Sequence, residues 1–167
     1  PEVHQATVFA LKGQHVCGRP LDLFHAHSAE EAMAFLRRTA GVAVIFLDVV
    51  MESHDAGLEL VRRIRGELGL TETRIILRTG QPGYAPEMSV IRDYDINDYR
   101  TKSELTHTRL MTTLTSAIRA FEQITGLTEA RNGLESLAES GSKLFIPRDS
   151  RSFAEVALRQ LESLFGS

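Results

Sequence analysis

A single cysteine, Cys17, rules out a disulfide within the sequence and suggests a reducing cytoplasm. No apolar run approaches the ~18 residues that a membrane helix needs, so no membrane span is expected. Charge of one sign is lacking too. With 19 basic side chains against 22 acidic ones the net charge is −3, and nothing points to nucleic acid or another polyanion as a partner. No low-complexity tract, internal repeat or signal peptide is visible. LRTGQPG carries two glycines but neither a P-loop lysine nor the dinucleotide spacing, which sets nucleotide-binding folds aside. What is present is 43% hydrophobic content, enough for the core of one ordinary domain, or of one domain and a piece of another.

The chain is organised around Val42 to Met51, VAVIFLDVVM, an apolar and mostly β-branched run that ends in the carboxylate of Asp48. Such a run reads as a strand buried on both faces of a parallel sheet. Before it, Glu2 to Leu11 has a helical face of Val3, Thr7, Ala10 and Leu11, stopped by Lys12-Gly13. PLDLFHAH, residues 20–27, alternates and predicts a short strand. Ser28 and Glu31 form a capping box for a helix with Ala32, Phe35 and Leu36 on its buried stripe. After the central run, Gly57 opens a helix with Leu58, Val61, Ile64 and Leu68 inward and Arg62, Arg63 and Arg65 toward water. TRIILRT, residues 73–79, predicts the next strand, and Gly80-Gln81-Pro82-Gly83 its turn. A short helix around Pro86 to Arg92, a weaker strand over Asp95 to Thr101, and a helix with Leu110, Leu114, Ala117, Ile118, Phe121 and Ile124 as its stripe follow, through to Gly126. Residues 127–144 and 152–165 read as two more helices, the second capped by Ser152 with Glu155. This alternation predicts an α/β, doubly wound parallel sheet over residues 1–126, with a C-terminal helical extension over 127–167.

Asp48, Thr79 and Lys102 end three successive expected strands, and the strands of a parallel sheet end along one edge. A carboxylate, a hydroxyl and an ammonium at one edge suit phosphoryl transfer to the carboxylate as nucleophile, with the other two binding the oxygens of the acyl phosphate and a divalent metal neutralising charge. Each residue alone has a plainer reading. Asp48 can cap a loop, Thr79 can sit in a turn, and Lys102 can be a solvated residue at a helix start. Their weight comes from occurring together. A haloacid-dehalogenase-type phosphatase also uses an aspartate at a strand end, but wants a second aspartate where Val50 stands.

FLDVVM around Asp48, LRTG around Thr79, NDYRTK ending at Lys102, and Gly57 with LELVRRIR make residues 2–124 resemble the receiver domain of bacterial two-component response regulators. The resemblance implies a flavodoxin-like fold and assigns roles by position. Asp48 is the phosphoacceptor, Thr79 the switch hydroxyl, Tyr99 the aromatic switch, and Lys102 the partner of the phosphate. The metal, Mg2+, would be held by Asp48 and the backbone carbonyl of Val50. The phosphoryl donor would be a histidine kinase, and the signal would pass to a downstream output domain, with a homodimer formed through late helices. LDVVMESHDAGLELVRRIR, RIILRTGQPG and YDINDYRTKSELT resemble receivers that precede a GAF-like domain and often an HD-GYP or cyclic-di-GMP module. Residues 127–167 look like that domain's two opening helices. No HD-GYP, GGDEF or EAL motif is present, so no output enzyme is assigned here.

Two departures qualify the resemblance. Receivers begin with a central strand that ends in two metal-holding acids, whereas Pro1-Glu2-Val3 reads as the entry to the first helix. The expectation is a receiver lacking its first strand, with Mg2+ held in the full-length protein and weakly or not at all by this chain. Ser103 and Met51 also stand where receivers commonly carry prolines. His25 and His27 share a strand face but have no third ligand, and His54 reads as a solvated loop histidine. The alternative function is a phosphorylation-independent, receiver-like domain for docking or dimerisation.

Overall fold

The computed structural model describes residues 2–49, 56–80, 95–101 and 106–144, and positions 154–155, 157–159 and 161 near the C-terminus. In chain order the elements are α1 (Glu2–Leu11), β1 (His15–Val16), β2 (Arg19–Pro20), α2 (Ala29–Arg38), β3 (Val44–Asp48), α3 (Ala56–Gly66), β4 (Arg74–Thr79), β5 (Asp98–Thr101) and α4 (His107–Leu144). Strands β3, β4 and β5 form a parallel sheet in that order, with Asp48 opposite Arg78 and Thr79 opposite Thr101. Beyond Asp48 the ladder continues as the Val49 amide donates to the Arg78 carbonyl at 2.9 Å. At the start of β5, Asn97 extends it. The Asn97 side-chain oxygen accepts from the Ile75 amide at 2.7 Å, and its own amide donates to the Ile75 carbonyl at 2.8 Å.

Two apolar layers cover the sheet. On one face Leu47, Ile75, Leu77 and Tyr99 pack with Met33 and Leu36 of α2 and Leu58, Leu60, Val61 and Ile64 of α3. On the other, Val44 and Phe46 border a smaller cluster of Leu11 from α1, Val16, and Leu110 and Leu114 from α4. Helices on both faces of a parallel sheet make the doubly wound α/β architecture that the pattern predicts. The fully buried Ile75 and Leu77 each stabilise it by about 1.5–3 kcal/mol.

Helix α1 has the predicted bounds, and Gly13 follows it at φ +73°, a left-handed conformation suited to glycine after a helix end. At α2 the Ser28 hydroxyl accepts from the Glu31 amide at 3.1 Å, as in a capping box. The return bond is displaced by one residue, because the Glu31 carboxylate accepts from the amide of His27 at 2.7 Å. Met33, absent from the expected stripe, is the most deeply buried residue of α2.

Four expectations need correction. First, residues 21–27 form no strand; only Pro20 of that segment is paired, in the short antiparallel β1–β2 hairpin. The expected two-sided packing survives in part, since Leu21 and Leu23 border the smaller cluster and the Phe24 ring lies 4.6 Å from that of Phe35. Among the described residues, however, no parallel neighbour offers the segment a ladder. Second, β3 is less covered than a central strand. It has a partner on one side only among the described residues, and of Val44, Ile45, Phe46 and Leu47 only Leu47 is buried. Third, α4 runs without a break through Gly126 and Gly133 to Leu144. A helical glycine costs about 1 kcal/mol relative to alanine, which a long helix absorbs. Leu110, Leu114 and Ala117 are its buried residues, whereas Leu127, Leu134 and Leu137 are exposed.

Fourth, the arginines of α3 are not a uniform solvated face. Arg62 is, with a 3.4 Å pair to Glu59. Arg63 bridges Glu30 of α2 and Glu67, which ties α2 to the end of α3. The Arg63 guanidinium, by hydrogen bond and by charge, holds the Glu30 carboxyl below its ordinary value of 4.5. A lowered folded value means that this link stabilises above the ordinary glutamate range and is lost as pH falls through the lowered value. Glu30→Gln should therefore flatten the acid limb of stability without changing stability near neutrality by more than a surface pair does. Urea midpoints between about pH 3 and pH 6 read this out. Arg65 is 12% exposed and reaches into the turn before β4.

Chain compactness divides the molecule at Ile124 and Thr125 into two units. In the second unit α4 continues to Leu144, and positions 154–155, 157–159 and 161 are helical, with Leu158 and Leu161 exposed. The predicted helix at 86–92, the turn at 81–83, Met51, His54, Ser103 and the Ser152 cap lie outside the described residues.

Candidate functional site

The site is built at the C-terminal edge of the sheet. The apolar run of β3 carries Asp48 to its last position, and β4 carries Thr79 to its last. Parallel pairing in register brings both to one edge, with Thr79 one step beyond the residue opposite Asp48. Alternation along β4 puts Thr79 on the face of Leu77 and Ile75, where it is buried. Tyr99 is buried on that face too, inside the larger core, and Thr101 ends β5 opposite Thr79. Lys102 and Val50 lie outside the described residues.

Among the described residues, the charge that faces Asp48 is one that the strand-end pattern does not single out. Arg78 stands directly opposite Asp48 in the register, with its Nε 3.5 Å from Asp48 Oδ1. That separation is a charge–charge contact rather than a well-formed hydrogen bond. Arg78 Nη1 donates to the Thr7 hydroxyl of α1 at 2.8 Å, and the guanidinium carbon lies 5.8 Å from the centre of the Phe46 ring. The Arg78 side chain is 5% exposed and that of Asp48 28%. Burial pushes the Arg78 guanidinium down from its ordinary value, and the Asp48 charge opposes that shift. The sequence signal was an arginine in an otherwise apolar strand; its facing Asp48 depends on register, which sequence alone does not supply.

Loop approach is tight beneath Asp48. The Gly57 amide donates to the Val49 carbonyl at 3.0 Å. A Cβ at Gly57 would overlap the Asp48 carbonyl oxygen and lie 2.8 Å from Val49 Cα. The first turn of α3 therefore fixes the backbone that carries the carboxylate.

Magnesium takes near-octahedral oxygen coordination. The described residues offer one carboxylate beside a guanidinium, and among them no three His, Cys, Asp or Glu side chains gather to hold a metal ion. By themselves they do not fit the metal. His25 and His27 are both exposed.

Comparison with known proteins agrees with this architecture. Residues 114–167 match a family described as a domain of unknown function, DUF3369. Over 163 residues the chain is 40% identical to 3'3'-cGAMP-specific phosphodiesterase 2 of Vibrio cholerae serotype O1, covering 98% of this chain and 31% of that protein. The chain thus spans about a third of the curated relative it matches. Among solved structures, the signal receiver domain of an HD domain-containing protein from Pseudomonas fluorescens Pf-5 superposes with a TM-score of 0.63 at 21% identity, covering 75% of this chain and 85% of that one. NtrX from Brucella abortus superposes at 0.62 and 16% identity, covering 86% and 32%. The N-terminal domain of a response regulator/sensory box/GGDEF protein from Carboxydothermus hydrogenoformans gives 0.57 at 18%, covering 74% and 91%. In fold, the chain is similar to the receiver domains of response regulators, and its long α4 runs into a segment matching DUF3369.

Proposed function

We propose that this chain is the phosphoacceptor receiver of a two-component response regulator, phosphorylated on Asp48 by a histidine kinase. The observation that carries the reading is the partly exposed Asp48 carboxylate at the C-terminal edge of a receiver-fold sheet, which it shares with Thr79. In the transfer, a carboxylate oxygen of Asp48 forms a bond to phosphorus. The bond from phosphorus to the donor's imidazole nitrogen breaks, and its electron pair stays on that nitrogen, which leaves as neutral imidazole after taking a proton. The product is an acyl phosphate with roughly two negative charges on its outer oxygens. Lys102 would pair with that charge, the Thr79 hydroxyl would donate to it, and Tyr99 would repack as Thr79 moves.

The signal is proposed to pass through α4 into the DUF3369 segment and on to an output domain, with a homodimer formed along α4. The Vibrio relative's name supports a cyclic-dinucleotide phosphodiesterase as that output. Magnesium in this scheme needs carboxylates beyond Asp48, which the described residues do not supply, and weak or no binding by this chain is part of the proposal. The cytoplasm is the proposed compartment. The test is labelling by acetyl phosphate with magnesium, on this chain and on the full-length protein. We expect the full-length protein to be labelled and Asp48→Asn to abolish the label. Absence of Asp48-dependent label from both would leave a docking or dimerisation domain that works without phosphate.

A further inference from the structure

We propose that Arg78 is a positioning residue for phosphoryl transfer, holding one oxygen of Asp48 inside the fold so that the other is presented as the nucleophile. The inference rests on the phosphoacceptor reading of Asp48.

The two oxygens of this carboxylate are not equivalent. Oδ1 is fully buried and faces the Arg78 guanidinium. The side chain as a whole is 28% exposed, so its accessible surface lies on the remaining atoms and not on Oδ1. An incoming phosphoryl group therefore meets the other oxygen. The last torsion of an aspartate is broad, so which oxygen faces the edge depends on what the carboxylate meets, and Arg78 meets Oδ1. With Arg78 there, one orientation is favoured.

Arg78 is itself held from three sides. Its backbone is in the middle strand of the sheet, its Nη1 donates to Thr7 of α1, and its guanidinium lies by the Phe46 ring. A planar guanidinium with several fixed donors can be anchored by one nitrogen while another faces a carboxylate, which a lysine ammonium does not reproduce. It stays protonated through the transfer. Before transfer it faces a charged carboxylate. Afterwards Oδ1 is the neutral carbonyl oxygen of the acyl phosphate, and the charge has moved to the phosphoryl oxygens.

Chemical rescue tests the proposal in the full-length protein. Arg78→Ala should slow acetyl-phosphate labelling of Asp48 by ~100-fold, the scale of misplacing a reacting group by about 1 Å. Methylguanidinium in solution should restore much of the rate, and methylurea, of similar shape but uncharged, should not. Equal rescue by both, or a rate within about twofold of wild type, overturns the proposal. If Arg78→Ala does not fold, Thr7→Val removes the anchor without emptying the site, and an unchanged labelling rate there also overturns it. A urea-denaturation cycle of Asp48→Asn and Arg78→Ala separates this from the function it rests on. Non-additive midpoints establish the pair with or without phosphate, and additive ones refute it. A coupled pair in a wild-type protein that takes no label means that the phosphoacceptor reading has failed and the positioning role with it.

Discussion

Gly57→Ala is expected to destabilise the receiver by about 3 kcal/mol, at the upper end of the usual overpacking range, and to depress labelling of Asp48 in the same protein. Two effects oppose each other at this position. Alanine is the better helix former, by about 1 kcal/mol, and taken alone this would make the variant more stable. Against it, the new methyl group would overlap the carbonyl oxygen of Asp48 and sit 2.8 Å from Val49 Cα and 2.9 Å from the Val49 carbonyl oxygen. These are backbone atoms in a paired strand end, not the ends of flexible side chains, so the strain must move α3 or β3. Either movement displaces Asp48, and a reacting group misplaced by about 1 Å loses on the order of 100-fold in rate. Urea midpoints and labelling rates of the variant check both parts. A midpoint equal to or above wild type would show that α3 stands further from β3 than described. Gly66→Ala is the control, because a Cβ there meets nothing within 4 Å and only the helical preference acts.

The contrast between these two glycines shows what is legible from sequence. Period-3.6 stripes in α2 and α3 and the apolar runs of β3 and β4 predict the layers, because helix faces and buried strands write their burial directly into residue order. Asp48 and Thr79 stand out for the same reason, each a polar residue ending an apolar strand. What fails is whatever depends on a partner. The 20–27 segment has the alternation of a strand, but alternation records the faces of a strand and not the neighbour its hydrogen bonds require. Gly126 reads as a helix stop, yet the helix continues, since one glycine costs little against the turns on either side. Only register and loop path reveal that Arg78 is buried and that Arg65, which reads as a solvated charge, is partly so. A charged residue in an apolar strand is the one hint that the sequence offers of the first. The second, in a helix that also carries Arg62 and Arg63, has none.

Arg65→Met should cost about 3 kcal/mol, while Arg62→Met on the same helix should stay within about 0.5 kcal/mol. The Arg65 guanidinium donates to the carbonyls of Leu70 and Thr73 and, through Nη2, to the Asp95 carbonyl at 2.9 Å, and it pairs with the Asp95 carboxylate at 3.2 Å. Burial pushes its ionisation down from the ordinary value, so part of what these bonds contribute offsets the loss of hydration. Methionine would recover that hydration cost and keep most of the apolar stem. It would also leave the carbonyls of Leu70 and Thr73 without their donor at partly buried positions, and the second effect is the larger because each such group costs about 1–3 kcal/mol. Arg65→Lys keeps the charge but cannot span both carbonyls and Asp95, so it should recover less than half of the loss. The consequence reaches the site through β5. Asp95, at φ +49°, and Asn97 form the entry to that strand, and Asn97 completes its ladder to Ile75. Releasing Arg65 loosens the entry, and with it the register that puts Thr101 opposite Thr79 and Tyr99 in the core. Amide exchange along β5 should therefore rise in Arg65→Met and stay at the wild-type level in Arg62→Met. Equal exchange in both would confine Arg65 to the turn before β4 and remove it from the path between fold and candidate site.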